Sequence, residues 1–252
     1  GIDAGNAQSL SARHNDCNAI REHVLSWRSG GGKGQVWIAV ESLYSMDGDK
    51  AHLADIVTLA DDIEAFIVID EAHATGVFGP QGRGLAAEFE GRSNLITIHT
   101  CGKALGVMGA IVCAEKPIID FLVNRARCFI YATAPSPLLA AGVGEALKLC
   151  RTEVERRRQL HSRIAAANAA LASICDLPGT GTQILPVILG RDARATRIAD
   201  TLQAEGFDVR AIRPPTVGEG TARLRIAVTL NATESDQRDM FACLATALEK
   251  HR

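Results

Sequence analysis

An acid and an amine that together suit a cofactor site stand at Asp70 and Lys103. Asp70 follows the apolar run of residues 66–69, and Lys103 lies in residues 98–106, with mostly small neighbours and no acid or base beside it except a histidine. Pyridoxal 5′-phosphate (PLP) needs an acid for its pyridine nitrogen and an amine for its aldehyde. The pair therefore predicts a PLP site and carbanion chemistry on an amino acid.

Each of the two residues also has an ordinary explanation. An acid at the end of a strand often caps the next element, and most lysines are solvated surface groups. Asp70, however, is expected at the carboxyl end of a strand, which is the edge where open α/β sheets bind ligands. The small neighbours of Lys103 would let its side chain pack into a cavity, where desolvation would make the amine a nucleophile.

The same residues permit an interpretation from another class of protein. Residues 70–73, Asp-Glu-Ala-His, spell the acidic box of a class of nucleic-acid helicases. A phosphate loop would need Ser or Thr after its Gly-Lys pair, whereas Ala104 follows Lys103 and Gly34 follows Lys33. Lysine and arginine number 27 against 29 acidic residues, so the chain has no basic excess for binding nucleic acid. We therefore expect no nucleic-acid partner.

The composition limits the remaining possibilities. Apolar residues make up 47% of the 252 residues, enough for a substantial core, but no apolar run reaches the roughly 18–20 residues of a membrane span. The seven cysteines are scattered, odd in number and without a Cys-x-x-Cys pair, which indicates reduced thiols rather than disulfides or a zinc site. We expect a cytoplasmic protein with no membrane partner and no metal.

Short apolar runs alternate with helical patterns in the first half of the chain. Near-continuous apolar runs predict strands at residues 36–41, 65–69, 94–98 and 110–113. Between the first two strands, apolar residues at helical spacing predict a helix at 51–62. Buried strands separated by helices indicate an α/β fold whose mostly parallel sheet is covered on both faces.

The pattern changes after residue 137. Residues 138–174 are rich in Ala, Leu and Arg, which predicts a long helical connection, interrupted or bent between Leu147 and Glu153. A turn cluster at 176–181 follows, and then a strand, a helix, a strand and a closing helix at 184–189, 193–205, 224–229 and 234–251. We predict a large domain at 1–140, a connecting helix at 141–164 and a small α/β domain at 165–252.

Three motifs follow one another along the chain: Glu41-x3-Ser45-Met-Asp-Gly-Asp49, then Asp70-Glu-Ala-His-Ala-Thr-Gly76 with Gly79-x2-Gly82-Arg-Gly84, then Thr100-x2-Lys103-Ala-Leu-Gly106. Their order and spacing resemble the α-oxoamine synthases, which are fold-type I PLP enzymes that join an amino acid to an acyl thioester with loss of carbon dioxide. The resemblance covers nearly the whole chain and is weakest at 1–35 and 150–180. It implies a fold-type I PLP-dependent transferase, with the N-terminal part of the large domain missing.

The resemblance implies a role for each cofactor residue. Lys103 carries the Schiff base with PLP, and Asp70 pairs with the pyridine nitrogen. His73 and Ser45 hydrogen-bond to the phenolic oxygen of the ring, with Glu41 beside them. Lys103, His73 and Asp70 are the expected catalytic residues. Taken alone, His73 could instead be a histidine of the core with its hydrogen bonds satisfied.

Further roles concern the phosphate and the substrate. Thr100 matches a residue that contacts the cofactor phosphate, and Thr133 matches one that reaches the phosphate of the neighbouring subunit. Arg225 matches the arginine that clamps the amino-acid carboxylate, a task suited to a guanidinium. Thr216 falls in the loop that lines the substrate side. Taken alone, Arg225 or Arg223 could be a surface charge on a strand.

Within the family, residues 211–217 and 220–225 most resemble the member that condenses L-alanine with a pimeloyl thioester in biotin synthesis. The implied acyl carrier is CoA or an acyl carrier protein, and the implied assembly is a homodimer with its site at the interface. Sibling reactions stay open, namely glycine with acetyl-CoA or succinyl-CoA, and serine with palmitoyl-CoA.

A truncated, non-catalytic chain is the other alternative. The chain starts at Gly1, without Met, in a polar segment that is not a signal peptide. Family members carry roughly another hundred residues upstream, with a Gly-rich turn and a histidine that stacks on the ring. Two departures lie inside the motifs: His99 stands where the family usually has Gly or a small apolar residue, and Cys101 where it has a larger apolar one.

Overall fold

The chain folds into two compact units in the computed structural model, which describes residues 7–175 and 179–251. The first unit comprises the chain up to Ser42 and Lys50–Leu147, and the second comprises Leu43–Asp49 and the chain from Lys148 onward. A short segment from the N-terminal half thus belongs to the second unit. The domain limits expected from the sequence, at 1–140, 141–164 and 165–252, stay a prediction.

Four strands form the sheet of the first unit, in the spatial order of the chain: β1 (Trp37–Glu41), β2 (Phe66–Asp70), β3 (Leu95–Thr100) and β4 (Ala110–Cys113). β1, β2 and β3 pair in parallel, which confirms the prediction of a mostly parallel sheet. β4 pairs antiparallel with β3. The reversal follows from the connection, since residues 101–109 are too few for the crossover of about a dozen residues that parallel pairing needs.

Apolar strand residues and helix α2 (Leu53–Asp62) form the core of the first unit. Ile67 and Ile69 of β2 are fully buried, and α2 buries an apolar face that includes Leu59. Helix α1 (Cys17–Ser29) begins where the Asp16 side chain accepts a hydrogen bond from the Ala19 N–H at 2.9 Å. The sequence patterns did not predict α1, because Ala19 is its one buried residue.

Helices α3 (Lys116–Arg125), α4 (Arg127–Ile130) and α5 (Pro137–Thr152) bury none of their side chains, all of which are described. Several large apolar side chains are instead 44–79% exposed: Phe121, Phe129, Ile130, Tyr131 and Leu138. We call residues 121–138 the exposed apolar segment. Soluble proteins rarely expose so many large apolar side chains together unless another surface covers them.

After the end of α5, the described residues of the second unit form α6 (Val154–Cys175), β5 (Ile184–Gly190), α7 (Asp192–Ala204), β6 (Arg210–Ile212), β7 (Ala222–Ala227) and α8 (Glu234–Lys250). Its sheet is antiparallel, in the order β5-β7-β6. The predicted interruption of the long helical region is confirmed at Glu153, between α5 and α6. β7 begins at Ala222, earlier than predicted, because Arg223 is buried rather than a flanking surface charge.

Three further expectations concern a turn, a membrane span and the thiols. Residues 176–178 of the predicted turn cluster lie outside the described residues, whereas Gly181, with φ at +68°, has the left-handed backbone of a turn. Among the helices of the described ranges, none is long and apolar enough to cross a membrane. All seven cysteines are described, and all are free thiols.

Candidate active site

Three predicted site residues stand at the carboxyl ends of parallel strands. Glu41, Asp70 and Thr100 are the last residues of β1, β2 and β3. Glu41 is the register partner of Asp70, and Asp70 is the partner of Ile98. Because side chains alternate along a strand, Thr100 lies on the same face of the sheet as Ile98 and Asp70. The three half-buried side chains therefore share one edge and one face of the sheet.

A tight turn after Asp70 positions His73. The Asp70 Oδ1 atom accepts a hydrogen bond from the Ala72 N–H at 2.8 Å, which fixes the carboxylate at the start of the turn. We call residues 71–75 the His73 turn. Within it, the His73 Nε2 atom lies 3.0 Å from the Lys103 Nζ atom. With the amine protonated, Nζ donates this hydrogen bond and Nε2 accepts it. The structure thus brings together the imidazole and the amine that the sequence singled out.

Lys103 lies in the loop of residues 101–109 between β3 and β4. Backbone hydrogen bonds close the loop, and the buried side chains of Cys101 and Leu105 anchor it. The Lys103 side chain itself is exposed, so the predicted packing into a cavity is wrong. The reason is local: its small neighbours, such as Gly102, are also exposed and have too little side chain to cover a lysine.

A fully buried carboxylate at Glu71 follows Asp70, and the sequence did not single it out. Glu71 accepts a hydrogen bond from the Ser42 hydroxyl at 2.6 Å, and it accepts two more from the N–H groups of Leu85 and Ala86 at 3.1 and 2.5 Å. Three donors compensate the carboxylate for the loss of water. They also tie two other stretches of chain to the start of the His73 turn.

The glycine at the end of the second motif makes room for this carboxylate. Gly84 has φ at +104°, a backbone conformation that favours glycine. A Cβ atom at this position would lie 2.5 Å from the Glu71 Cδ atom. The sequence therefore held a signal for Glu71, namely an acid directly after a site residue, followed by a glycine at position 84 that leaves space for it.

The second unit holds three predicted site residues and brings two of them together. The Arg225 Nε–H group donates a hydrogen bond to the Ser45 carbonyl oxygen at 2.6 Å. Arg225 is half-buried on β7. Thr216 is exposed in the turn after β6, where its N–H donates to the Arg213 carbonyl oxygen at 3.0 Å. Segment 43–49 and β7 thus form one local arrangement.

Arg223 is a second arginine on the same face of β7. Only 7% of its side chain is exposed, and its Nη1 atom donates to Asp47 Oδ1 at 2.5 Å and to the Met46 carbonyl oxygen at 3.1 Å. The interpretation of Arg223 as a surface strand charge is therefore wrong. Its role is to hold segment 43–49, which carries Ser45, against the sheet of the second unit.

The remaining residues of interest differ in burial. Thr133 is exposed between α4 and α5, within the exposed apolar segment. The two departures from the family pattern, His99 and Cys101, are both buried. Burial lowers the pKa of the His99 imidazole and raises the pKa of the Cys101 thiol, because each change favours the neutral form. Both side chains therefore lie in the interior of the first unit as neutral groups.

The side chains at the edge of the first sheet fit PLP by their chemistry. Lys103 offers an amine for the aldehyde, Asp70 offers a carboxylate for the pyridine nitrogen, and His73 offers an imidazole for the phenolic oxygen. The amine and the imidazole are 3.0 Å apart. When bound, PLP supplies an electron sink for a carbanion at the carbon next to a substrate amine.

This fold is that of the PLP-dependent transferases of fold type I. The chain belongs to the family of class I and II aminotransferases, which matches residues 7–238. Its resemblance to the α-oxoamine synthases is confirmed by relatives. The chain is 39% identical, over 252 residues, to the 8-amino-7-oxononanoate synthase of Gluconacetobacter diazotrophicus. The alignment covers 100% of the chain and 62% of that protein.

Another sequence relative and two solved structures show the same similarity. The chain is 42% identical, over 218 residues, to the 8-amino-7-oxononanoate synthase of Chromobacterium violaceum, with 86% of the chain and 56% of that protein covered. The crystal structure of the Francisella tularensis 8-amino-7-oxononanoate synthase superimposes with a TM-score of 0.74 at 27% identity, over 90% of the chain and 67% of that structure. A serine palmitoyltransferase from Sphingomonas wittichii shares the fold, with a TM-score of 0.90 at 22% identity, 99% of the chain and 63% of that structure. The chain thus spans 56–62% of the length of these two sequence relatives.

Proposed function

We propose that this chain carries the catalytic residues of a PLP-dependent acyltransferase that condenses L-alanine with a pimeloyl thioester. Carbon dioxide is lost and 8-amino-7-oxononanoate is formed, a reaction of biotin synthesis. The observation that carries the proposal is the 3.0 Å contact between Lys103 Nζ and His73 Nε2, next to the strand that ends in Asp70. Relatives that are named 8-amino-7-oxononanoate synthase, at about 40% identity, support the choice of substrates.

The first unit would supply the groups that bind PLP and move the proton. Lys103 would hold the cofactor through its amine, and the same amine would serve as the base that takes the proton from the substrate Cα. Asp70 keeps the pyridine nitrogen protonated, and His73 donates a hydrogen bond to the phenolic oxygen, with Glu41 beside it. Thr100, at the end of β3, contacts the phosphate.

The second unit would supply the groups that orient the substrate. Arg225 binds the carboxylate of the amino acid, because a guanidinium matches the geometry of a carboxylate with two parallel hydrogen bonds. Ser45, whose carbonyl oxygen accepts from Arg225, donates its hydroxyl hydrogen bond to the phenolic oxygen. Thr216 lines the substrate side. The thioester carrier is CoA or an acyl carrier protein.

A substrate matrix tests the proposed reaction. The chain, loaded with PLP, is incubated with L-alanine, glycine or L-serine, and with pimeloyl-, acetyl-, succinyl- or palmitoyl-CoA. We expect an amino ketone and carbon dioxide from L-alanine with pimeloyl-CoA, and the same reaction with a pimeloyl acyl carrier protein is the matched check of the carrier. Mass spectrometry of the product and trapping of carbon dioxide measure both.

The other outcomes identify the alternatives. Faster product formation from glycine or serine would assign a sibling reaction instead. Weak PLP binding, with no product from any pair, would mean that the chain alone is not catalytic.

We also propose that the protein acts in the cytoplasm. The free state of all seven cysteines supports this location, because thiols persist in compartments that keep them reduced.

A homodimer is the proposed assembly, and the exposed apolar segment is its proposed interface. Thr133 lies in this segment, and the family resemblance implies that this residue reaches the phosphate of a second copy. The exposure of Phe129 and Tyr131, at 64% and 75%, supports a surface that another subunit covers. A second copy is therefore the occupant that fits both observations.

We expect Phe129→Asp to weaken self-association of the chain by about 30-fold or more, since a buried aromatic side chain at an interface contributes about 2 kcal/mol. Sedimentation velocity over a range of concentrations measures the change. Ile188→Asp is the matched control, because Ile188 is 53% exposed on β5 of the second unit. Equal effects of the two substitutions, or a monomeric wild-type chain, would contradict the proposed interface.

A further inference from the structure

We propose that His99 is a positioning residue of the candidate active site, which fixes the end of the His73 turn against β3 through a hydrogen bond to Thr75. The inference rests on the function proposed above, since it concerns the contact between His73 and Lys103.

His99 acts from the face of the sheet opposite to Asp70. Side chains alternate along β3, so His99 and Thr97 share one face, while Thr100 and Ile98 share the other face with Asp70. His99 and Thr97 are both buried, with 9% and 3% of their surface exposed. A residue behind the sheet does not contact a cofactor bound in front of it. Its influence on the site must pass through the residues that it holds.

The hydrogen bonds of His99 select one form of the ring. Nδ1 lies 2.9 Å from Thr75 Oγ1, and Nε2 lies 3.0 Å from Thr97 Oγ1. The Thr75 hydroxyl donates its single proton to the Glu71 carbonyl oxygen at 2.8 Å, so it can only accept from His99. Nδ1 therefore carries the proton, and Nε2 accepts from the Thr97 hydroxyl. Burial keeps the ring neutral, since it lowers the pKa of His99.

Two bonds from β3 hold the two ends of the His73 turn. The Glu71 N–H donates to the Ile98 carbonyl oxygen at 2.8 Å at the start of the turn, and the His99 ring bonds to Thr75 at its end. His73 lies between these two points. Lys103 belongs to the loop that continues directly from β3. Both residues of the Lys103–His73 contact are therefore held in place by β3. The His99–Thr75 bond fixes the His73 side of this contact, and so it sets the distance between His73 and Lys103.

A nitrogen NMR experiment on the full chain tests this arrangement without cofactor. A long-range ¹H–¹⁵N spectrum of the imidazole rings reports which nitrogen of each histidine carries a proton and whether it is hydrogen-bonded. In the wild-type chain we expect His99 to be protonated on Nδ1. The Lys103→Ala chain gives the reference value for the ¹⁵N chemical shift of His73 Nε2 in the absence of its lysine partner. Protonation of His99 on Nε2 in the wild-type chain would overturn the inference.

Two isosteric substitutions separate positioning from simple packing. Thr75→Val and Thr97→Val each leave one ring nitrogen of His99 without its partner, but only Thr75 belongs to the His73 turn. We expect Thr75→Val to move the His73 Nε2 shift most of the way to its Lys103→Ala value, and Thr97→Val to leave it near wild type. Equal displacement by both substitutions would mean that His99 only fills space.

Two substitutions of His99 complete the test. His99→Phe keeps the ring shape without nitrogens, and His99→Asn places a donor near the Nδ1 position. We expect His99→Phe to act like Thr75→Val and to weaken PLP binding about tenfold, and His99→Asn to restore both readouts. An unchanged His73 shift in His99→Phe would contradict the inference. A wild-type chain that does not bind PLP would refute the proposed function, while the NMR shifts would still decide the role of His99.

Discussion

Replacement of Lys103 by alanine is expected to abolish the visible absorbance that PLP acquires when the chain binds it covalently. The amine of Lys103 is the group that meets His73 at the edge of the first sheet, and alanine offers no nucleophile there. Loss of the proton-transfer group alone should reduce the condensation rate by about 10²–10⁴-fold. An absorption spectrum, followed by borohydride reduction and mapping of the labelled peptide, measures the attachment.

Lys33→Ala is the matched control for this substitution. Lys33 also follows a glycine and is exposed, but it lies in a turn after α1, away from the strand ends that carry Asp70 and Thr100. Its replacement should leave the absorbance unchanged. A reducible, lysine-linked absorbance that persists in Lys103→Ala would reject Lys103 as the site of attachment, and with it the roles proposed for Asp70 and His73.

A Glu71→Gln substitution is expected to lower the free energy of unfolding by about 3 kcal/mol. The carboxylate accepts hydrogen bonds from the Ser42 hydroxyl and from the N–H groups of Leu85 and Ala86. A glutamine amide keeps one acceptor oxygen, but its NH₂ group would face donors. At least one of the three donors would then be buried without a partner. Urea unfolding followed by circular dichroism measures the change.

Glu88→Gln is the control for the loss of one negative charge. Glu88 is exposed in the turn of Leu85–Phe89, so its substitution should change the free energy of unfolding by less than about 0.5 kcal/mol. A Glu71→Gln chain as stable as the control would show that the buried carboxylate is dispensable.

Much of the first unit could be predicted because its strands are near-continuous apolar runs. β1, β2 and β3 each have that pattern, which is typical of strands buried on both faces. The reversal of β4 could not be seen in its own residues, since it depends on the length of the loop before it. β6 has three residues, too few for a pattern, and α3 buries none of its side chains.

The residues of the candidate site also fall into those that the sequence could assign and those that it could not. Asp70 and Lys103 could be singled out because each is a reactive group in unusual local surroundings. Glu71 and His99 could not be assigned, because the partners on which their roles depend, Leu85 and Thr75, lie 14 and 24 residues away along the chain. The exposure of Lys103 was also missed, since small neighbours are equally compatible with a tight cavity and with open solvent.

The placement of segment 43–49 has a consequence for how a substrate would be sensed. Thr182 donates from its hydroxyl to the Gly48 carbonyl oxygen at 2.7 Å, and Arg223 and Arg225 hold Asp47 and Ser45. A carboxylate that draws the Arg225 guanidinium into a new orientation would therefore pull on the backbone that bears the Ser45 hydroxyl. If Arg225 and Ser45 have the roles proposed above, binding of the amino-acid carboxylate would therefore also shift the Ser45 hydroxyl before any chemistry begins.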